Sequence, residues 1–277
     1  MPQETNLNVA PYYDDFNADD KYYKVLFKPG YPVQARELTG LQSTLQDQIE
    51  KFGSHIFKEG SSVTGGGIKF SNAYESIKIQ SSNQGFNVKD YLFSLTDKIL
   101  IGSESGIKLQ VKGYMASIYS DNSYVIFVNY LNSGANNTER CLSGESLLLD
   151  GEPFTTDGGL VFQPGESVAQ LMNGICAFIG CAAVLSEGIY FARGYFIKVK
   201  KQTTILSPFI NTVSAKVGLR VLESVINSDI DKSLTDNAAG YSNYTAPGAD
   251  RLALDLKLES VDINQQSTPN FIELLEV

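Results

Sequence analysis

The sequence contains no tryptophan and a single histidine among 277 residues, together with three cysteines. Any Ser–His–Asp or Cys–His mechanism, and any zinc site built on histidines, would therefore have to use His55. His55 lies beside a helical apolar pattern, where a packed or capped side chain is the simpler interpretation. Cys141, Cys176 and Cys181 cannot all pair within one chain and are interpreted as buried free thiols. We therefore predict that the protein is not an enzyme and has no catalytic residue, metal site or cofactor.

The chain also has few basic residues and no uninterrupted apolar run. Its 22 Lys and Arg residues are scattered and are outnumbered by 31 Asp and Glu residues, for a formal net charge of −9. Binding to phosphates or to an anionic membrane needs clustered positive charge, so we predict neither a nucleic-acid nor a membrane partner. The most apolar run, residues 168–185, is interrupted by polar residues and glycines, which predicts a buried helix or strand pair. The N-terminus lacks a signal-peptide pattern, which predicts assembly in the cytoplasm.

Aromatic residues and glycine are plentiful, with 15 Tyr, 15 Phe and 24 Gly. This composition is typical of a β-rich protein with many tight turns. The length allows one large domain or two modest ones.

The one long helical pattern covers residues 31–58. Apolar residues spaced three and four apart share one helix face. They are Leu38, Leu41, Leu45, Ile49, Phe52 and Ile56. The set repeats after eleven residues, close to the period of a straight helix, so no left-handed supercoil is required. A strict heptad seam would instead include Gln48 and His55.

This pattern leaves two arrangements open. In the first, the apolar face of the helix lies on a sheet of its own domain. In the second, the helix belongs to a short bundle around a symmetry axis, with polar layers at Gln48 and His55. The first is the simpler arrangement for a single chain.

Residues 1–30 are expected to form an extended N-terminal arm. Five acidic residues and no basic residue precede Lys21. A segment this polar cannot form a core alone, so its aromatic side chains are expected to dock on something larger. Tyr12, Tyr13 and Phe16 are therefore candidate contacts with copies or partners. Asp15, Asn17 and Asp19 have calcium-loop spacing, but the required glycine and glutamate do not follow, and a solvated acidic segment is preferred.

Beyond the helix, the apolar period changes to two. We predict a mainly β (α+β) fold, with β-sandwich-like domains after one long N-terminal α-helix. A first β-rich domain is expected at 59–208 and a second β-rich region at 209–277. Tyr124–Val128 is expected to be a strand covered on both faces. A hairpin is expected around Ser186-Glu187-Gly188, with Gly194 at a bulge or bend.

A long Asp- and Gly-rich loop lies within the second β-rich region. Asp229, Asp231, Asp236 and Asp250 resemble the carboxylate pairs of glycosidases, but Asp in such loops usually caps turns. Pro247 and Gly248 predict a turn. Asp250 and Arg251 predict an ion pair that clamps the loop at the start of a strand.

Three segments carry a resemblance to a known family. Residues 11–61 read PYYDDFNADDKYYKVLFKPGYPVQARELTGLQSTLQDQIEKFGSHIFKEGS, residues 187–206 read EGIYFARGYFIKVKKQTTIL, and residues 236–258 read DNAAGYSNYTAPGADRLALDLKL. In these segments the chain resembles a family of tailed-bacteriophage virion proteins found in T4-like phages of cyanobacteria and described as tail-fibre or baseplate components. About a third of the chain is covered, and residues 70–180 match less closely.

The resemblance implies a structural role in the virion, as the baseplate-attaching N-terminal part of a trimeric tail fibre or as a baseplate component. It implies a homotrimer that contacts phage baseplate or tail proteins and is assembled in the host cytoplasm. Family members are often longer, so the chain is expected to be either the N-terminal portion of a longer fibre or a short member. No catalytic residue is carried over.

Two alternatives remain open. One is a host-receptor or carbohydrate-binding tail module, in which surface tyrosines stack on a host surface glycan. The other is a polysaccharide depolymerase that uses the Asp-rich loop.

Overall fold

The computed structural model describes residues 4–115, 119–134, 138–265 and 268–277. Within these residues the chain forms one α-helix, α1 (Ala35–Ile56), and eighteen strands. The strands are β1 (Ser62–Gly65), β2 (Ile68–Gln80), β3 (Ser82–Asn83), β4 (Phe86–Asn87), β5 (Ile99–Gly102), β6 (Lys108–Met115), β7 (Ser123–Asn132), β8 (Ser146–Leu149), β9 (Phe154–Thr155), β10 (Val161–Phe162), β11 (Ser167–Gln170), β12 (Ala177–Leu185), β13 (Gly188–Ala192), β14 (Tyr195–Val199), β15 (Gln202–Ser207), β16 (Ala215–Ile226), β17 (Arg251–Asp262) and β18 (Phe271–Glu276). The prediction of a mainly β protein with one long helix is confirmed.

The chain divides into two compact units. The first comprises Met1–Lys69, Val184–Thr204 and Ser214–Val277, and the second comprises Phe70–Ala183 and Ile205–Val213. From the sequence we expected one β-rich domain at 59–208 and a second region at 209–277. In the structure, the first unit contains segments of both. The difference arises because β1, directly after the helix, pairs with the distant strand β13, so that segments far apart in sequence share one unit.

The second unit is built on an eight-stranded sheet with the strand order β11-β8-β5-β6-β7-β2-β12-β15. Alternating apolar residues of β2, β6 and β8 fill its core, including Ile77, Leu109 and Leu147, each fully buried. All five residues of Tyr124–Val128 in β7 are buried, which confirms a strand covered on both faces.

The apolar run 168–185 forms strands rather than a helix, and most of it belongs to β11 and β12. The run is therefore strands and not a helix, but β11 and β12 do not form a pair, because β11 lies at the edge of the sheet beside β8 and β12 lies between β2 and β15. No helix in the described ranges has the length and apolar character needed to cross a membrane.

The first unit contains two three-stranded sheets, with the orders β1-β13-β14 and β17-β16-β18. β16 and β17 pair along their whole lengths, from Ala215 opposite Asp262 to Ile226 opposite Arg251. The β13–β14 hairpin turns at Arg193 and Gly194, both with positive φ, and not at residues 186–188 as predicted. An Arg-Gly pair permits the tight two-residue turn because glycine adopts positive φ without a steric cost.

Helix α1 begins four residues later than predicted and ends two residues earlier. The backbone N–H of Gln34 donates to the Glu37 carboxylate at 2.9 Å, which satisfies one of the free donors at the helix start. At the other end, the Phe57 N–H donates to the Gly53 carbonyl at 2.7 Å. The Phe57 side chain then joins an aromatic cluster with Phe191 and Phe196 of the β13–β14 hairpin.

Gly53 lets the helix approach this hairpin closely. A Cβ atom at position 53 would lie 2.4 Å from the Phe191 ring, well inside van der Waals contact. A Cβ atom at Gly40, on the same helix, would meet no atom within 4 Å. The two helical glycines therefore have opposite roles, since one is required by packing and the other only lowers helix propensity.

We predict that Gly53→Ala destabilises the protein by about 1–3 kcal/mol, because the added methyl group overpacks the contact with Phe191. Gly40→Ala serves as the matched control and should stabilise the protein by about 0.5–1 kcal/mol. Urea unfolding of the two variants provides the measurement. Equal stabilisation by both substitutions would contradict the close packing at Gly53.

Candidate assembly surface

Helix α1 is covered on one side by the N-terminal arm. The buried carboxylate of Asp14, only 1% exposed, accepts a hydrogen bond from the Ser43 hydroxyl. Its neighbour Asp15 forms an ion pair with Arg36 at 2.7 Å. The arm therefore lies against α1 through its acidic residues.

The Lys51 side chain, on the same helix, donates to the Asp47 carboxylate at 2.7 Å, and this hydrogen bond raises the pKa of Lys51.

The β13–β14 hairpin covers a second side of the helix. The Gln46 side chain donates to the Gly194 carbonyl at 2.8 Å, and Gly53 lies against Phe191. Thr39 and Glu50 fall on the same side of the helix as Gln46 and are partly buried. This packed side consists of small and polar residues, in contrast to the apolar face that the sequence led us to expect there.

The predicted apolar face of α1 is exposed. Five of its six side chains are about half exposed or more: Leu38 50%, Leu45 57%, Ile49 46%, Phe52 68% and Ile56 56%. The sixth, Leu41, is partly buried. At about 100° per residue, the six side chains fall within an arc of roughly 80°. We call these six residues the α1 stripe.

This exposure corrects the first of the two arrangements derived from the sequence. The helix does rest on its own unit, but through Gln46 and Gly53 rather than through its apolar side chains. The periodicity identified the stripe correctly, but could not show that other residues make the intramolecular contact. Contiguous exposed apolar side chains on a folded chain usually mark an interaction site.

The arm aromatics named from the sequence divide into two groups. Tyr12 and Phe16 are partly buried against the first unit, whereas Tyr13 is 58% exposed. The Tyr12 hydroxyl donates to the Asp250 carboxylate at 2.5 Å, and this hydrogen bond raises the pKa of Tyr12. Further along the arm, several large apolar side chains face solvent. They are Tyr22, Tyr23, Leu26, Phe27, Tyr31 and Val33.

The two side chains of the predicted clamp at the Asp-rich loop bond other groups and form no ion pair with each other. Asp250 bonds Tyr12, while the Arg251 guanidinium donates to the backbone carbonyls of Ala249 and Asp250 instead of to a carboxylate. The turn predicted at Pro247 and Gly248 is wrong, because Pro247 lies in an antiparallel β-bridge with Thr235 and the Gly248 N–H donates to the Leu234 carbonyl at 3.0 Å. The expected ion pair between Asp250 and Arg251 is thus wrong, because the arm supplies the partner of Asp250.

Two of the other aspartates of this loop accept hydrogen bonds from nearby backbone N–H groups, whereas Asp229 forms an ion pair with Lys232 at 3.6 Å. Asp231 accepts from the Ser233 N–H at 2.9 Å, and Asp236 accepts from the Ala238 N–H at 2.8 Å. These contacts are the turn-capping role expected of Asp in a long loop.

The other residues considered as catalytic or metal-binding candidates lie at separate places in the structure. All three cysteines are buried free thiols, and His55 is exposed in the last turn of α1. Asn17 caps a short 3-10 turn by accepting from the Asp19 N–H. Across the described ranges, no group of three or more His, Cys, Asp or Glu residues is arranged to hold a metal ion.

A polar network that the sequence analysis missed fixes the start of the arm. The Arg193 guanidinium, 9% exposed, pairs with Glu223 at 3.0 Å and with Glu4 at 2.7 Å, and also bonds Asn270. Glu223, only 5% exposed, accepts the Thr5 N–H at 2.7 Å. Only the Arg193-Gly194 turn could have pointed to this network from the sequence, because the residues that bond Arg193 are distant from it in the chain.

Comparison with known proteins adds one similarity. Residues 10–84 match the model of a family described as a domain of unknown function, DUF4815. The matched segment includes most of the arm, all of α1 and the first three strands. Comparison with curated proteins and with solved structures gives no match.

We predict that Leu45→Asp abolishes assembly while leaving the fold intact, because Leu45 is exposed in the single chain and a carboxylate cannot be buried cheaply in an apolar interface. Ser54→Asp is the matched control, since Ser54 is exposed on α1 outside the stripe. Light scattering gives the mass of each variant, and circular dichroism checks its folding. Normal assembly of Leu45→Asp would show that the stripe is not buried.

We also predict that acid weakens the anchor of the arm. Burial opposes ionisation of Glu223, but hydrogen bonds from Thr5 and Glu4 and the charge of Arg193 outweigh it and lower its pKa below the ordinary 4.5. Since the folded-state pKa is lowered, the stabilisation is complete above pH 4.5 and is lost as the pH falls through the folded-state value.

The measurement is the free energy of unfolding between pH 6 and pH 3 for the wild type and Glu223→Gln. Glu223→Gln should show a smaller loss on acidification, because it lacks the titrating carboxylate. Glu187→Gln, at an exposed position, is the control and should follow the wild type. Identical pH profiles for Glu223→Gln and the wild type would contradict this role.

Proposed function

We propose that the chain is a structural protein of a tailed-phage virion. It is the baseplate-attaching N-terminal part of a trimeric tail fibre, or a baseplate component. It is assembled in the host cytoplasm, acts by binding rather than by catalysis, and has itself and baseplate or tail proteins as partners. The observation that carries the proposal is the exposed α1 stripe on a helix whose other sides are held by the arm and the hairpin.

An apolar stripe held in this way supports a role in assembly. The arm and the hairpin fix the position of the helix, so the stripe is presented without an ordering cost at the moment of binding. Burying the exposed half of one such side chain is worth about 1 kcal/mol, or about 5 kcal/mol for the five. That gain is comparable with the lower estimates, about 4 kcal/mol, of the cost of association.

The stripe therefore needs additional contacts to form a stable interface. The exposed aromatic residues of the arm are suited to provide them, since Tyr and Phe are enriched at interfaces. Tyr22, Tyr23 and Phe27 are 76%, 68% and 48% exposed. In this proposal the arm and α1 together form the attachment end. The rest of the chain, which consists of β-sandwich-like domains, forms the body of the protein.

The phage assignment is supported by the resemblance of residues 11–61, 187–206 and 236–258 to virion proteins of T4-like phages. All three segments fall in the first unit, apart from two residues at the end of the second segment. They include the arm, α1, the hairpin that supports it and the loop that holds Tyr12. The resemblance thus coincides with the parts that position the stripe.

The test is gold labelling of intact phage particles with an antibody against this chain, viewed by electron microscopy. We expect label at the distal end of the tail and the protein in immunoblots of purified virions. Particles incubated with non-immune antibody are the control. Absence of the protein from purified virions would refute the proposal.

A further inference from the structure

The second unit has a polar pocket of about 260 Å³ at the end of strand β2. Three segments that are far apart in the chain form it: the end of β2 with the start of β3, the turn before β7, and the residues that follow β11. The lining residues are Gln80, Ser81, Ser82, Asp121, Asn122, Met172 and Asn173. The pocket therefore shares no residue with the α1 stripe or the arm.

Backbone hydrogen bonds join the three segments. The Ser81 N–H donates to the Asn122 carbonyl at 3.1 Å. The Met172 N–H donates to the carbonyl of Lys78, in β2, at 3.1 Å. The walls of the pocket are thus held by the chain itself, as in most small-molecule sites, which are largely formed before the ligand binds.

The lining side chains have hydrogen-bonding groups that the protein does not use. The side chains that make no hydrogen bond within the described part of the chain are those of Ser81, Ser82, Asn122 and Asn173. The Gln80 side chain donates to the Leu171 carbonyl at 3.3 Å, so its own oxygen is still an acceptor. Amides and hydroxyls both donate and accept, and the pocket therefore offers both kinds of partner to a ligand.

The charges at the pocket favour a neutral ligand. Asp121 is the one charged residue among the lining residues, and it accepts a hydrogen bond from the Lys78 ammonium at 2.6 Å. The same ammonium lies over the rings of Tyr119, Phe178 and Phe209. An anion in the pocket would be repelled by the carboxylate, and a cation on that carboxylate would lie close to the ammonium.

A sugar unit has the chemistry that this lining matches. It is neutral, and its neighbouring hydroxyl groups donate and accept as the amides and hydroxyls of the pocket do. The Asp121 carboxylate accepts from hydroxyl groups, and Met172 supplies an apolar surface for the C–H groups of the ring. The volume of the pocket lies just below the range of about 300–1,000 Å³ that is typical of drug-sized ligands, so a small ligand fits it better than a large one.

We propose that the second unit binds a neutral sugar unit in this pocket, through the side chains of Gln80, Ser82, Asn122 and Asn173 and the carboxylate of Asp121. The site differs from the tyrosine surface considered from the sequence, since none of its lining residues is aromatic. The inference goes beyond the proposed function and does not rest on it.

Saturation-transfer NMR of the full chain tests the proposal, because this method detects weak binding. The probes are glucose, galactose, mannose and N-acetylglucosamine and their disaccharides, each at millimolar concentration. Glucuronic acid, which carries a negative charge, is the comparison. We expect transfer to at least one of the neutral sugars and weaker or no transfer to glucuronic acid.

A pair of variants places the bound sugar in the pocket. Ser82→Ala combined with Asn173→Ala removes two unused polar groups and leaves Asp121 and its ion pair intact. The affinity for the bound sugar should fall about tenfold or more, because two hydrogen bonds to it are lost. Asn129→Ala combined with Ser186→Ala is the matched control, since both residues are exposed outside the pocket, and it should bind as the wild type does. Circular dichroism checks the folding of each variant.

Two results would overturn the proposal. One is the absence of transfer to every neutral sugar at these concentrations, and the other is an unchanged affinity in the pocket variant. Calorimetric titration with calcium chloride provides a third: calcium binding that the pocket variant loses, without any bound sugar, would make the pocket a cation site. None of these results bears on gold labelling of the tail, so failure of this inference is distinguishable from failure of the proposed function.

Discussion

The contact between Gly53 and Phe191 determines how α1 is presented. Because the residue at this point has no side chain, the helix can approach the hairpin through a side made of small and polar residues. The apolar side chains are consequently turned away from the protein's own core. A helix with a large residue at position 53 would have to move or rotate, and the α1 stripe would no longer have the same exposure.

The arm acts on the same helix from another direction. Asp14 and Asp15 hold it to Ser43 and Arg36, and the Arg193 network ties residues 4 and 5 to β16. These polar contacts limit the positions that the arm can take relative to α1 and β16. A buried network of this kind depends on every partner, since removing one leaves an unpaired charge.

The arrangement separates two tasks that are often combined in one helix face. Small and polar residues hold the helix on its own unit, while the large apolar residues of the α1 stripe remain exposed. In the proposed function, the partner surface of the first unit is the α1 stripe with the neighbouring arm.

Local patterns in the sequence determined the mainly β fold, the helix with its stripe, the strand at Tyr124–Val128 and the buried thiols. Each depends on the period of apolar residues or on composition, which operate over a few neighbouring residues. Only the tertiary structure decided that the stripe faces outward, that Asp250 bonds Tyr12, and that Arg193 pairs with Glu223 and Glu4. These facts join residues far apart in the chain, and periodicity carries no information about which distant residues meet.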